Sequence, residues 1–135
     1  MREHMGLYRG KRTDNGEWSD GSLWVSDYGV LIHERHDLAQ WRYVDPETVG
    51  ECTGLRDMNG KLIFEGDIVR FNYTGVNRGV EGVAIVVFEN GKFCVEWGWH
   101  KELVCLDGFA NTTMEIIGNA HDNPELLKGG EADGN

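Results

Sequence analysis

Basic residues are scarce in this chain. Lys and Arg number 13 against 23 Asp and Glu, a formal net charge of −10 over 135 residues. That balance opposes nonspecific binding to phosphate backbones and favours solubility. The acidity is uneven, with six acids and one base in residues 106–135. Cysteine is scarce as well. Cys52, Cys94 and Cys105 are an odd, widely spaced set with no two-residue zinc knuckle. This disfavours a disulfide framework and leaves reduced, partly buried thiols as the expectation. No apolar run approaches the ~20 residues of a membrane span, so no membrane association is expected. Residues Met1-Arg2-Glu3-His4-Met5 lack the apolar region of a signal peptide, so cytosolic residence is expected. There is no phosphate-cradling glycine loop, and Ser19, Ser22 and Ser26 stand in no nucleophile elbow.

What is present is β-sheet chemistry. Hydrophobic residues make up 40% of the chain, with five tryptophans, enough for a core without staples. Residues 53–70 organise the rest. Asn59-Gly60 offers two φ > 0 residues for a type I′ turn. Leu62-Ile63-Phe64 is a short strand broken by Glu65-Gly66-Asp67. Gly66 permits a corner, and the Asp67 carboxylate is placed to accept a local backbone N–H. Ile68-Val69-Arg70-Phe71 then starts a β-branched strand.

Further hairpin signals stand on either side. Thr13-Asp14-Asn15-Gly16 turns after a strand over Leu7 to Arg12. Asp20-Gly21 reads as another turn, before Ser22 to Ser26 and Val30 to His33 pair as a hairpin. Asp37 to Trp41 fits a helical turn or a loop. Gly82 to Phe88 reads as a central strand. Asn90-Gly91 is the third Asn-Gly signal, and its return strand places Phe93, Val95, Trp97 and Trp99 on one face and Cys94, Glu96 and His100 on the other. Asn72 to Glu81 reads as a polar loop, and Asp107-Gly108 as a turn before a closing strand over Met114 to Ile117. Asn123-Pro124 reads as N-cap and first position of a short helical turn. The predicted organisation is a β-rich subdomain over 1–50, a barrel over 51–127 and a flexible acidic tail over 128–135.

Tyr8-Arg9-Gly10-Lys11-Arg12, Asp14-Asn15-Gly16-Glu17-Trp18 and Val44-Asp45-Pro46-Glu47-Thr48-Val49-Gly50 begin a series of blocks in fixed order. Thr53-Gly54-Leu55, Asn59-Gly60-Lys61, Glu65-Gly66-Asp67-Ile68-Val69, Ile116-Ile117-Gly118-Asn119 and Asn123-Pro124-Glu125-Leu126-Leu127 continue it. Together these blocks resemble the YopX family of phage and prophage proteins. Cys52 departs from it, since an aromatic residue is usual there, and Trp97-Gly98-Trp99 falls outside it. The resemblance implies a β-rich fold with an SH3-like barrel, a phage or prophage origin in a bacterial host cell, and no established activity. It carries no catalytic residues.

Candidate sites are few. His33 and His36 lie three apart without a third metal ligand at a telling spacing, so surface histidines are the expectation. Glu65 and Asp67 are a carboxylate pair of the kind used in hydrolysis, but a corner needing Gly and Asp already explains them. Tyr8, Arg9, Lys11 and Arg12, with Arg70 and Arg78, are the groups a single-strand nucleic-acid site would use. An edge strand whose charges discourage pairing is the simpler account. Phe93, Trp97 and Trp99 are candidates for core or a subunit interface. The reading is an all-β fold, an N-terminal β-hairpin subdomain with an SH3-like barrel. Its function is read as non-enzymatic and cofactor-free, a self-associating module that binds a phage or host protein. A nucleic-acid-binding barrel is the alternative, and a small hydrolase the third.

Overall fold

The structure, a computed structural model, describes residues 6–73, 80–97, 102–105 and 114–127. They fall in two units, Met1–Gly54 and Leu55–Asn135. The division lies inside a strand, a few residues beyond the Gly50 boundary expected from the sequence. Strand is the dominant element, and every strand pair observed is antiparallel. The described residues are all-β but for two short turns of helix.

In the first unit, β1 (Tyr8–Lys11), β2 (Trp18–Ser26), β3 (Gly29–Glu34), β4 (Trp41–Val44) and β5 (Gly50–Arg56, which crosses the boundary) lie in the order β4-β3-β2-β1-β5. Pro46–Thr48 forms a turn of 3-10 helix, with the Asp45 carboxylate accepting the Glu47 N–H at 3.0 Å. The sheet curls. Arg12 bridges to Val44, and the Asp45 N–H donates to the Lys11 carbonyl at 2.8 Å, so the end of β4 meets β1. Glycine permits this closure, because a Cβ on Gly10 would stand 2.9 Å from Cβ of Val44. Ile32 and Val44 are buried on the concave side.

Asp20-Gly21 is not the turn its composition predicts. Strand β2 runs straight through it, with Gly21 opposite Glu34. The residue is glycine because the β3 backbone comes too close for a side chain, with His33 O only 1.8 Å from where a Cβ would be. Residues 37–40 form a loop, not a helical turn, and Trp41 is the first residue of β4.

In the second unit, β6 (Leu62–Phe64) follows β5. Then β7 (Asp67–Tyr73), β8 (Val80–Glu89), β9 (Lys92–Trp97), β10 (Glu102–Cys105) and β11 (Met114–Asn119) form a sheet ordered β10-β9-β8-β7-β11. Strand β8 is central, as its apolar run suggests, and the meander with β11 returning beside β7 is consistent with the expected SH3-like barrel. The core is Ile63, Val69, Phe71, Ala84, Val86, Val95 and Met114. The Glu65-Gly66-Asp67 corner holds as its residues dictate. Gly66 has φ 94°, and the buried Asp67 carboxylate accepts the Phe64 N–H at 2.7 Å. A helical turn at 125–127 closes the described chain. Asn123 does not cap it with its side chain, whose oxygen turns back to accept the Asn119 N–H at 3.2 Å.

The three Asn-Gly pairs take different turns. Only Asn90-Gly91 has both residues at positive φ, 54° and 80°, as a two-residue type I′ turn between Glu89 and Lys92 requires. At Asn59-Gly60 only Gly60 is positive, at φ 81°. Here the Gly60 N–H donates to the Asp57 carbonyl at 3.0 Å and the Asp57 N–H to the Lys61 carbonyl at 2.8 Å. That is a three-residue loop, a type I turn followed by a left-handed glycine, and it corrects the expected type I′ turn. The longer Thr13–Gly16 loop likewise has only Gly16 at positive φ, 74°. Loop length selects the turn, and the dipeptide only permits it. Gly91→Val is therefore expected to cost on the order of 1–2 kcal/mol, since a β-branched residue resists the left-handed region. Its denaturation midpoint against wild type checks this, and an unchanged midpoint would misplace the turn.

Candidate functional site

The candidate site is the outer face of the first unit's sheet, and register builds it. Residues directly opposite one another in antiparallel strands share a face. Trp24 stands opposite Leu31, and Leu31 opposite Tyr43. One row along, Ser22 stands opposite His33, and His33 opposite Trp41. These two rows make an aromatic ladder across three strands. The His33 ring stacks on Trp41 with centroids 4.2 Å apart and planes 4° from parallel. Its Nε2–H donates to the Leu38 carbonyl at 2.7 Å, which holds the ring in place. Trp24 meets Trp41 edge to face at 6.1 Å.

The ladder is open to solvent. Trp24, Trp41 and Tyr43 are 57%, 49% and 50% exposed. Bare aromatic surface of this kind, contiguous and ordered by neighbouring rings, marks an interaction site more often than scattered exposed residues do. On the concave side of the same strands lie Ile32, fully buried, and Val44.

Farther along the same face, β1 contributes Arg9 opposite Asp20 and Lys11 opposite Trp18. The Arg9 guanidinium carbon lies 4.7 Å from the Trp18 ring centroid and Lys11 Nζ lies 6.0 Å from it. Both are cation–π distances. Asp20 is engaged by Arg35 at 3.0 Å and by His36 at 3.5 Å. His33 and His36 thus have separate tasks, and among the described residues no group of three metal-ligating side chains comes together.

A model of the family described as YopX protein matches residues 7–128. The chain belongs to the YopX family. Two solved structures share the fold. Protein EF1440 from Enterococcus faecalis is 20% identical, with 91% of this chain and 99% of that chain covered and a TM-score of 0.53. Protein yopX from Bacillus subtilis is 21% identical, with 90% and 95% covered and a TM-score of 0.54. Comparison with curated proteins returns no match.

In this YopX-family chain the cluster over Tyr8 to Arg12 is divided between the two faces of β1. Tyr8 shares a face with Gly21, opposite to that of Arg9. Arg12 is committed to Asp14, with its Nε and Nη2 donating to the two carboxylate oxygens at 3.0 and 2.8 Å. The hydrogen bond from Arg12 chiefly holds the Asp14 carboxyl below the usual carboxylate range, and its counterpart raises Arg12. Arg70 lies in the other unit beside Glu115, 3.4 Å away. Arg78 and Trp99 lie outside the described residues, as do His100 and Asp107-Gly108. Within the first unit, Arg9 and Lys11 of this set meet on one face.

Of the residues expected at an interface on β9, only Phe93 has a described side chain. Phe93 packs against the second unit's core and meets Phe88 edge to face at 4.9 Å. Cys94 and Val95 are both fully buried, so neither face of β9 is open there. Cys52 and Cys94 are buried thiols, not joined in a disulfide. Among the described residues, no helix is long and apolar enough to cross a membrane.

The sequence reading missed Trp24, Trp41 and Tyr43. The signal was present in Ser22-Leu23-Trp24-Val25-Ser26. That strand has apolar residues on both parities, while a strand with a solvated face alternates.

Proposed function

We propose that the protein is a non-enzymatic protein-interaction module, a phage- or prophage-derived accessory protein working in the cytoplasm of a bacterial host cell. It binds protein chains, its own copies included, through the outer face of the N-terminal sheet. The observation that carries this is the ordered, half-bare ladder of Trp24, Trp41 and Tyr43. Aromatic anchors that keep a polar edge are what protein interfaces enrich. Two further points support the reading. The Asp67 carboxylate, half of the suspected hydrolytic pair, is buried and accepts a backbone N–H. The phage setting rests on the family resemblance. A single-strand nucleic-acid reading draws on Arg9 and Lys11 around Trp18, but a net charge of −10 opposes it.

A binding surface is separable from the fold. Replacing both Trp24 and Trp41 by serine, measured on dilute protein, is expected to cost about 2 kcal/mol at most, the worth of two cross-strand pairs. Phe71→Ala in the core is the reference and should cost about 3–5 kcal/mol. Thermal or urea midpoints compare them. A double variant as damaged as Phe71→Ala would make the ladder part of the folding core and end the module reading.

A further inference from the structure

We infer that the ladder is covered by the same ladder of a second copy, in a two-fold dimer centred on Trp24 and Trp41. This rests on the module reading above and names its occupant. A two-fold contact brings one patch against itself, so the patch must tolerate its own charges. This one does. Most described acids of the first unit stand off the outer face of these strands. Asp14 and Glu17 are in the β1–β2 loop, Asp27 in the β2–β3 turn and Asp37 in the β3–β4 loop, while Asp45 caps the 3-10 turn, Glu47 lies within it and Glu51 is in β5 opposite Tyr8. Glu34 shares the concave side with Ile32 and reaches Ser19 and Arg42. On the outer face β1 to β4 carry a single acid, Asp20, and Arg35 and His36 engage it. A chain of net charge −10 thus keeps one sheet face with a single acid on β1 to β4, its aromatic rows at one end and Arg9 and Lys11 at the other.

Size points the same way. Each aromatic residue brings about 150–250 Å² of surface, so three half-exposed rings offer roughly 300 Å² of aromatic area. Leu31 and His33 in the same rows extend it. A stable interface takes about 800 Å² from each partner, much of it polar rim. The ladder has the dimensions of the core of such an interface. The aromatic rows themselves carry no acid, and self-complementarity of ring edges and faces suits a second copy.

The electrostatics give the dimer a signature. Away from the strip, two copies of charge −10 repel, and salt screens that repulsion. Self-association through the ladder should strengthen as salt rises. Binding of a single-stranded nucleic acid at Arg9 and Lys11 would weaken instead.

Sedimentation equilibrium of the full chain decides the matter, from about 1 µM to about 200 µM and from about 50 mM to about 500 mM NaCl. The expected result is a mass moving from 15.2 kDa toward twice that value, with tighter association at high salt. Trp41→Ala and Trp24→Glu should each weaken it about tenfold or more, while circular dichroism shows the sheet intact. A monomer throughout overturns the inference, as does a dimer indifferent to both substitutions. Association that falls with salt, or appears only on adding an oligothymidine strand, overturns it too. If the chain stays monomeric while the serine double variant keeps its midpoint, the second copy is ruled out and the module reading stands. If that midpoint collapses, the module reading itself has failed.

Discussion

Gly21→Ala is expected to lower the stability of the N-terminal sheet by about 3 kcal/mol or more, the upper end of overpacking costs. Gly21 lies within a nine-residue strand, where glycine is usually a weakness. Here it lets two backbones approach. A Cβ would stand 1.8 Å from His33 O, 2.7 Å from His33 C and 3.0 Å from Arg35 N. All three are backbone atoms, so no rotamer change relieves the clash. Strand β3 must move, and its pairing with β2 and β4 moves with it. The measurement is a urea midpoint by far-UV circular dichroism. Gly60→Ala is a useful contrast, since nothing stands within 4 Å of a Cβ there and only its φ of 81° resists the change. Equal losses for the two variants would mean that the β2–β3 register is wrong.

Asp57→Ala is expected to be comparably severe in the second unit, at about 3 kcal/mol or more. Asp57 is only 2% exposed. Its Oδ1 accepts the Asn59 N–H and the Lys61 N–H, each at 2.9 Å, which shapes the loop between β5 and β6. Its Oδ2 accepts the Ile116 N–H at 3.0 Å and ties that loop to β11. Alanine leaves three donors seeking water from a site where little is available. Each buried orphan costs about 1–3 kcal/mol, and the three are not additive. Asp57→Asn keeps one acceptor oxygen and should lose less. Hydrogen exchange reads the mechanism directly, because the amides of Asn59, Lys61 and Ile116 should lose protection first. Unchanged exchange at those three positions would contradict it, whatever the midpoint does.

Much of the fold was legible because it rests on short-range rules. Asn90-Gly91 between a strongly apolar strand and its return admits few conformations, and it forms the turn its residues favour. Gly66 and Asp67 likewise build their corner within four residues. Asp20-Gly21 misled for the same reason that it is informative. The dipeptide tolerates a turn, but nothing local records that the His33 carbonyl lies against it. The basic cluster of Tyr8 to Arg12 also dissolved on folding, since alternate side chains of a strand point to opposite faces and Arg12 was taken by Asp14.

By itself the sequence determined the dominant element type and the family, because β-branched runs, glycine at positive φ and proline at a helix start are local preferences written residue by residue. Tertiary structure alone decided which face of each strand meets solvent. Trp24 and Phe71 are both aromatic residues in β-rich segments, yet one is 57% exposed and the other 1%. The physical reason is that burial is set by what packs across from a strand, and register carries that information between segments far apart in the chain. Trp24, Leu31 and Tyr43 share a row only because β2, β3 and β4 pair at one offset. A slip of one residue would turn the ladder inward and leave Ile32 in water.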